Sequence, residues 1–358
     1  MEQMTISGVS GEGAKAMGGS LDRGALPPLS EACPLPDWRP ISVLPTDRFE
    51  QIQPEAEGVL AFSAGQGRLR LIDSNGAAAG DWRLDGIRSA DALLGRSGEC
   101  WLWDWVAGKA WRFRLDAKPD LDTPLPPEAT VPLPPLARIA RAVYLDDRLI
   151  LLDRGLGLLR EWDRKGSEIR TVGRRLSYRA AEAGEGRIGF EVPGDLVRDG
   201  ETLWVCDTGN RRLVSLNLDL EQTGTIPLAD YPCRITGVSP DFLTVIGPDR
   251  REFLVAKCYG PLGEWPPAEV EIDPATPALA ADGSVWAIDE SGHPMWRPSV
   301  ILPSLEGALA RPGLESVRLH FLLDHGETGK ARELAMAGGR TLLPEYWEQT
   351  GDPEVAGA

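Results

Sequence analysis

Apolar positions in this chain fall in short runs, each broken by a polar turn and followed by a second run. Residues 59–73 read VLAFSAGQGRLRLID, 100–116 CWLWDWVAGKAWRFRLD, 149–163 LILLDRGLGLLREWD, 203–219 LWVCDTGNRRLVSLNLD, 243–257 LTVIGPDRREFLVAK and 285–297 VWAIDESGHPMWR. The runs are short, rich in Val, Ile, Leu and Trp, and carry Gly or Asn where the turn needs a positive φ, so each predicts a β-hairpin. The first strand of each hairpin ends at Ser63, Asp104, Asp153, Asp207, Gly247 and Asp289, at spacings of 41, 49, 54, 40 and 42 residues. That period is the one of propeller blades. Each unit is preceded by a further apolar segment, such as 195–198, so the pattern predicts six four-stranded blades around a channel.

Three regions frame the ring. Residues 1–37 are rich in Gly, Ser and Pro and are expected to form a flexible arm. The ring itself is expected over 38–303, and a partly helical tail over 304–358, where Leu314, Val317, Phe321, Leu322, Ala331, Leu334 and Ala335 recur at near-helical spacing. WRPISVLP at 38–45 nearly repeats WRPSVILP at 296–303, which suggests that the N-terminal copy completes the last blade and fastens the circle. Residues 117–136 read as an exposed Pro-rich linker, and 173–190 as an insertion before the fourth blade.

One unit carries a family signature. FEVPGDLVRDGETLWVCDTGNRRLVSL, residues 190–216, has a Pro-Gly pair, an apolar strand, an Asp-Gly turn, a strand ending in Asp, and Thr-Gly-Asn-x-Arg. It resembles an NHL repeat, and the other units keep its strand rhythm over about residues 48–303. The resemblance implies an all-β, six-bladed β-propeller of NHL type. Degenerate NHL-like rings also occur in components of phage-tail-like assemblies, which this chain's divergent blades and Pro-rich linkers resemble.

Composition narrows the partners. The 358 residues carry a formal charge of −16, which argues against a nucleic-acid partner. With three His, the commonest general base and metal ligand is scarce. The five Cys (Cys33, Cys100, Cys206, Cys233 and Cys258) show no CxxC pair and read as reduced thiols. No apolar run reaches signal-peptide or membrane-span length, so the expectation is a cytoplasmic protein without membrane contact.

Candidate chemistry falls into two groups. Asp207, with Asn210 and Arg211, has the look of an active-site cluster. Four of the six units keep Asp at that position, however, and a residue repeated around a ring does a per-blade task. The expected role is a turn: Asp207 accepts backbone N–H groups, and Arg211 pairs with it. The second group is found by counting about 12 residues back from each strand end to the start of the innermost strand. The count reaches Gln51, Asp91, Arg141, Asp195, Ile235 or Thr236, and Pro277 or Ala278. Gln51, Asp91, Arg141, Asp195 and Thr236 are the candidate ligand-binding positions at the channel mouth. Asp91, Arg141 and Asp195 fall on consecutive blades, and their structural alternative is an Asp–Arg–Asp bridge pinning three strands.

Six-bladed propellers resembling gluconolactonases hold a divalent cation on the channel through Glu, Asn and Asp, and the cation polarises a lactone carbonyl. A Ca²⁺-dependent lactonase is therefore the alternative function. Arg141 disfavours it, because a guanidinium in the ring neutralises the acids that a hard cation needs. His320 and His325, five apart, share neither a helix nor a strand face, so no metal site is expected there. Trp101, Trp103 and Trp105 alternate on one strand face and are expected between blades. The function expected from all this is a non-catalytic scaffold without a cofactor, binding a protein partner.

Overall fold

The computed structural model describes residues 28–29, 34–41, 48–55, 58–73, 76–96, 98–115, 121–175, 188–267, 269–338 and 341–352. Most of the expected arm, the first residues of the Pro-rich linker and most of the insertion before the fourth blade lie outside these.

Six four-stranded antiparallel sheets form a closed ring, a six-bladed β-propeller. Blade 1 spans residues 51–83, blade 2 92–132, blade 3 139–173, blade 4 195–227 and blade 5 234–265. Their innermost strands are Gln51–Glu55, Ala92–Arg96, Ile139–Leu145, Asp195–Asp199 and Arg234–Val238. Blade 6 is composite. Ala278–Leu279, Val285–Ile288 and Pro294–Arg297 supply three strands, and Arg39–Pro40 from the other end of the chain supplies the fourth. The pairing joins the two WRP triplets, with Arg39 opposite Trp296 and Pro40 opposite Met295.

Burial along each blade follows from the stacking. The second strand of blade 4, Thr202–Asp207, is buried on both faces after its first residue, because each face meets a neighbouring blade. Its alternate residues serve different neighbours: Leu203 and Val205 pack towards blade 3, Trp204 and Cys206 towards blade 5. In blade 2, Trp101 and Trp103 stack at 5.8 Å between ring centroids, and Trp162 of blade 3 meets Trp101 edge-on at 6.3 Å. Trp105 does not join them. The strand ends at Asp104, so Trp105 turns out to the surface, 46% exposed.

Blade 6 has the shortest strands and leaves part of blade 5 uncovered. Phe242, Leu254, Ala256 and Leu262 are covered instead by Leu29 and by Leu309 and Leu314 of the C-terminal region. Leu29, within the stretch expected to be an arm, donates its N–H to Glu264 O (2.9 Å) on the outer strand of blade 5. A sheet edge offers such unpaired groups. The C-terminal region forms four helices, α1 (Leu305–Leu309), α2 (Glu315–Asp324), α3 (Thr328–Gly338) and α4 (Leu343–Thr350). Ser304 caps α1 by accepting the Gly307 N–H. The later helices share a small core of Leu319, Leu322, Ala331, Ala335, Leu342 and Tyr346. Phe321 of α2 meets Tyr259 of blade 5 edge-on at 6.0 Å, and the Tyr259 hydroxyl donates to Asp324 at 3.0 Å. No helix among the described residues is long and apolar enough to cross a membrane.

Candidate functional site

Asp195 opens the innermost strand of blade 4 and is 1% exposed. Gly194 brings it close to blade 5. A Cβ there would lie 2.5 Å from Cys233 O and 2.7 Å from Thr208 Oγ1, so only Gly fits without a shift. A carboxylate with no water needs donors, and Asp195 has three. Its Oδ1 accepts from Arg141 Nε at 3.0 Å and Arg234 Nη1 at 3.2 Å, and its Oδ2 accepts from Ile235 N at 2.9 Å.

The two guanidiniums reach further. Arg141 Nη2 donates to Pro277 O at 2.5 Å, from blade 3 to the chain entering blade 6 on the far side of the ring. Arg234 Nε donates to Ala275 O at 2.7 Å, and its Nη1 to Gly194 O at 2.5 Å. One buried carboxylate and two arginines thus tie blades 3, 4, 5 and 6 together at the channel mouth. Burial, helped by the Arg234 charge, pushes Arg141 down to about 10, while Asp195 acts in the opposite sense. Arg141 remains a cation at neutral pH.

The other counted positions are placed elsewhere. The Asp91 carboxylate accepts from Trp105 N at 2.6 Å and closes a turn of its own blade. Burial raises its pKa from the ordinary carboxylate value, against the Trp105 hydrogen bond. Arg234, not Asp91, is the third member of the Arg141–Asp195 group. Gln51 pairs through its backbone with Phe62 at the start of blade 1. Thr236 is fully buried, with its hydroxyl 3.0 Å from that of Thr244 and 2.7 Å from Glu252 Oε2. The register of blade 5 shifts between Ile235 and Gly237, and Thr236 lies at the shift. Glu252 in turn binds Arg297 of blade 6 through both oxygens, Arg297 Nη2 at 2.6 Å from Oε2, and the Arg297 guanidinium lies 4.7 Å over the Trp38 ring. Thr236 therefore belongs to the seam between blades 5 and 6.

Asp207 is fully buried at its strand end. Its Oδ1 accepts from Glu191 N, and its Oδ2 from Asn210 Nδ2 and Arg212 Nε, all at 2.7 Å. The ionic partner is Arg212, not the expected Arg211, because Arg212 lies opposite Asp207 in the strand register. Arg211 caps the Thr208–Asn210 turn with φ 51°, and its guanidinium lies 4.4 Å over the Tyr231 ring. Asp153 repeats the device. It accepts Arg138 N and Leu156 N, both at 3.1 Å, and pairs with Arg160 at 2.8 Å. Asp104 does so with Val106 N, Ala107 N and Ser89 Oγ. Burial raises the Asp207 pKa, while Asn210 and Arg212 oppose the shift.

The same end of the ring carries a varied surface. On the blade 2–3 side, the Arg138 guanidinium lies 4.6 Å over the exposed Trp105 ring. Val106 and Leu136 are 72% and 79% exposed nearby. Between blades 6 and 1 an open cleft of about 750 Å³ is lined by Arg48, Glu50, Gln66, Asp273, Asp289 and Glu290, among others. Among the described residues, no group of three or more His, Cys, Asp or Glu stands close enough to hold a metal ion. Arg234 escaped the sequence count because it stands one residue before the position reached on blade 5; its only signal was that adjacency.

No family model matches the chain, and no curated protein is significantly similar to it. Among solved structures the chain is similar to the WD40 β-propeller domain of Doa1, at 10% identity, over 75% of this chain and 98% of that one, with a TM-score of 0.51. It is also similar to a catalytically inactive virginiamycin B lyase from Staphylococcus aureus solved with quinupristin, at 14% identity, over 75% and 99% of the two chains, with a TM-score of 0.50. At such identities the likeness shows the propeller fold alone, and it does not extend to the NHL type.

Proposed function

We propose that this chain is a non-catalytic propeller scaffold that binds a protein partner with its channel-mouth face. The observation that carries this is the closed state of the polar groups there. Asp195 is saturated by Arg141, Arg234 and Ile235 N, and Asp104, Asp153 and Asp207 are spent on turns. Beside these groups, two aromatic–cation pairs face solvent, Trp105 beneath Arg138 and Tyr231 beneath Arg211, apart from the acid-lined cleft between blades 6 and 1. Tyr, Trp and Arg are the residue types that dominate binding energy at protein interfaces. Propeller folds in general serve such binding, although one architecture hosts many functions. The buried, unbridged thiols of Cys100 and Cys206 fit a reducing, cytoplasmic setting. No cofactor enters this proposal.

The test is capture of partners from the native source by the wild-type chain and by Trp105→Ser. A partner held by the first and lost by the second supports the scaffold, and a chain that captures nothing under any condition sinks it. Membership in a larger assembly, such as a phage-tail-like particle, would appear in the same experiment as co-sedimentation with large particles. A Ca²⁺-dependent lactonase would have to pull Asp195 away from two guanidiniums. Lactone hydrolysis that depends on Ca²⁺, together with a Ca²⁺-dependent rise in Tm, would establish that activity instead.

A further inference from the structure

We propose that the blade 3 sector of the channel-mouth face receives the carboxylate of an acidic peptide segment, with Arg154 and Arg138 as the receiving groups. This rests on the scaffold function above and names the chemistry of its partner. Arg154 N donates to Arg138 O at 2.7 Å, which sets the two residues side by side. Of the acids around them, Asp153 is engaged with Arg160 and Asp195 with Arg141 and Arg234, while Asp91 accepts Trp105 N and attracts Arg138, which leaves Arg154 the less compensated of the two. The Arg154 guanidinium makes no hydrogen bond or ion pair with any described residue. Partial burial, with Arg138 and Arg234 nearby, pulls its pKa down, so it is a cation held among cations. An incoming carboxylate relieves that repulsion and meets a planar donor fork.

Three further features select the occupant. The chain has a net charge of −16, so a surplus of guanidiniums in one sector is a local field that draws acidic groups to it. Across the same face, the acids Glu50, Asp273, Asp289 and Glu290 outnumber Arg48 in the lining of the cleft between blades 6 and 1, even with Glu290 paired to Arg250, which disfavours a long polyanion such as a nucleic acid. Beside the arginines, Trp105, Val106 and Leu136 offer an apolar rim. The rim is held in place by the Leu133 N–H bond to Gly108 O, which ties the connection into blade 3 to the turn of blade 2. The fitting segment is therefore short and carries Asp or Glu beside an apolar residue.

The experiment selects a displayed library of short random peptides on the full chain, then measures a selected peptide by fluorescence anisotropy. Enrichment of Asp or Glu flanked by apolar residues is expected. Arg138→Gln with Arg154→Gln, or amidation of the peptide's acid, should weaken binding about tenfold or more. Arg164→Gln, the same kind of substitution at the opposite end of blade 3, should leave binding unchanged. No enrichment, enriched peptides without an acid, or equal binding by the double variant would overturn the proposal. A native partner that the double variant still captures would overturn it too, yet leave the scaffold function standing; a wild-type chain that captures nothing is the failure of that function.

Discussion

Replacing Arg297 by Met should destabilise the ring by about 4 kcal/mol, because it strands Glu252. Both side chains are nearly inaccessible, 1% and 2% exposed, and face each other across the seam between blades 5 and 6. Removing one partner of a buried pair typically costs about 3–5 kcal/mol, because the remaining charge is left uncompensated. Met keeps most of the volume, so the cavity contribution is small. Loss of the guanidinium over Trp38 adds about 0.5–2 kcal/mol. Among the described residues, the Glu252 carboxylate retains only the Thr236 hydroxyl at 2.7 Å, which tempers the loss. Urea unfolding followed by Trp fluorescence measures it. With a slope of about 3 kcal/mol/M, the midpoint should fall by roughly 1 M or more. The control is Arg297→Met with Glu252→Leu, which removes both charges. It should recover most of the loss, because Thr236 and Thr244 can still bond each other at 3.0 Å and only one hydroxyl donor is left over, at about 1 kcal/mol. A single variant costing under about 1 kcal/mol, or a double variant as unstable as the single, would refute the reasoning.

Other outcomes follow from the same contacts. Asp207→Ala should cost about 2–4 kcal/mol by orphaning Arg212, Asn210 and the Glu191 N–H, whereas Arg211→Ala, at the surface, should cost under about 1 kcal/mol; thermal melts compare them. Gly194→Ala should cost about 1–3 kcal/mol, because its Cβ meets the Cys233 carbonyl, and a neutral result in urea titration would show that blade 5 yields freely there. The folded-state pKa of Asp91 is raised, so the native state holds this proton more tightly than the unfolded chain does. The stability associated with that proton is therefore present at acid pH and lost as pH rises from the ordinary carboxylate value through the folded one. Asp91→Asn should gain in Tm relative to wild type across that window, and parallel pH profiles would contradict it.

The fold class was legible in the sequence because a blade repeats its strand-turn-strand rhythm, and six copies outweigh any one degenerate turn. Periodicity of two assigns a side chain to a face of its strand but not to a position along the propeller axis. Trp101, Trp103 and Trp105 share a parity, yet the last lies beyond the strand end and faces solvent. Counting back by a fixed interval brings Arg141 and Asp195 together, since blades 3 and 4 need no irregularity between those points and their strand ends beyond one shift at the start of blade 3. In blade 5 the register shift at Thr236 breaks the count, which hides Arg234 and sends Thr236 into the seam. The choice of Arg212 over Arg211 depends on a left-handed residue in the turn, which the pattern of charges does not reveal. The docking of Leu29 and of the C-terminal helices on blade 5 follows from the shortness of blade 6, a property of no local stretch.

The composite sixth blade also orders events during synthesis. Arg39 leaves the ribosome early, but its partner Trp296 is made only after all five other blades. Until Val285–Ile288 emerges, the nascent chain is an open arc. Val59, Ala61 and Ile72 of blade 1 then lack Trp286 and Ile288, which cover them in the finished ring. Translation that stops short of Val285–Ile288 leaves this apolar flank bare, a surface on which aggregation or chaperone capture begins. Closure thereby works as a check on synthesis: only a product read through the sixth blade hides the mark of an unfinished ring.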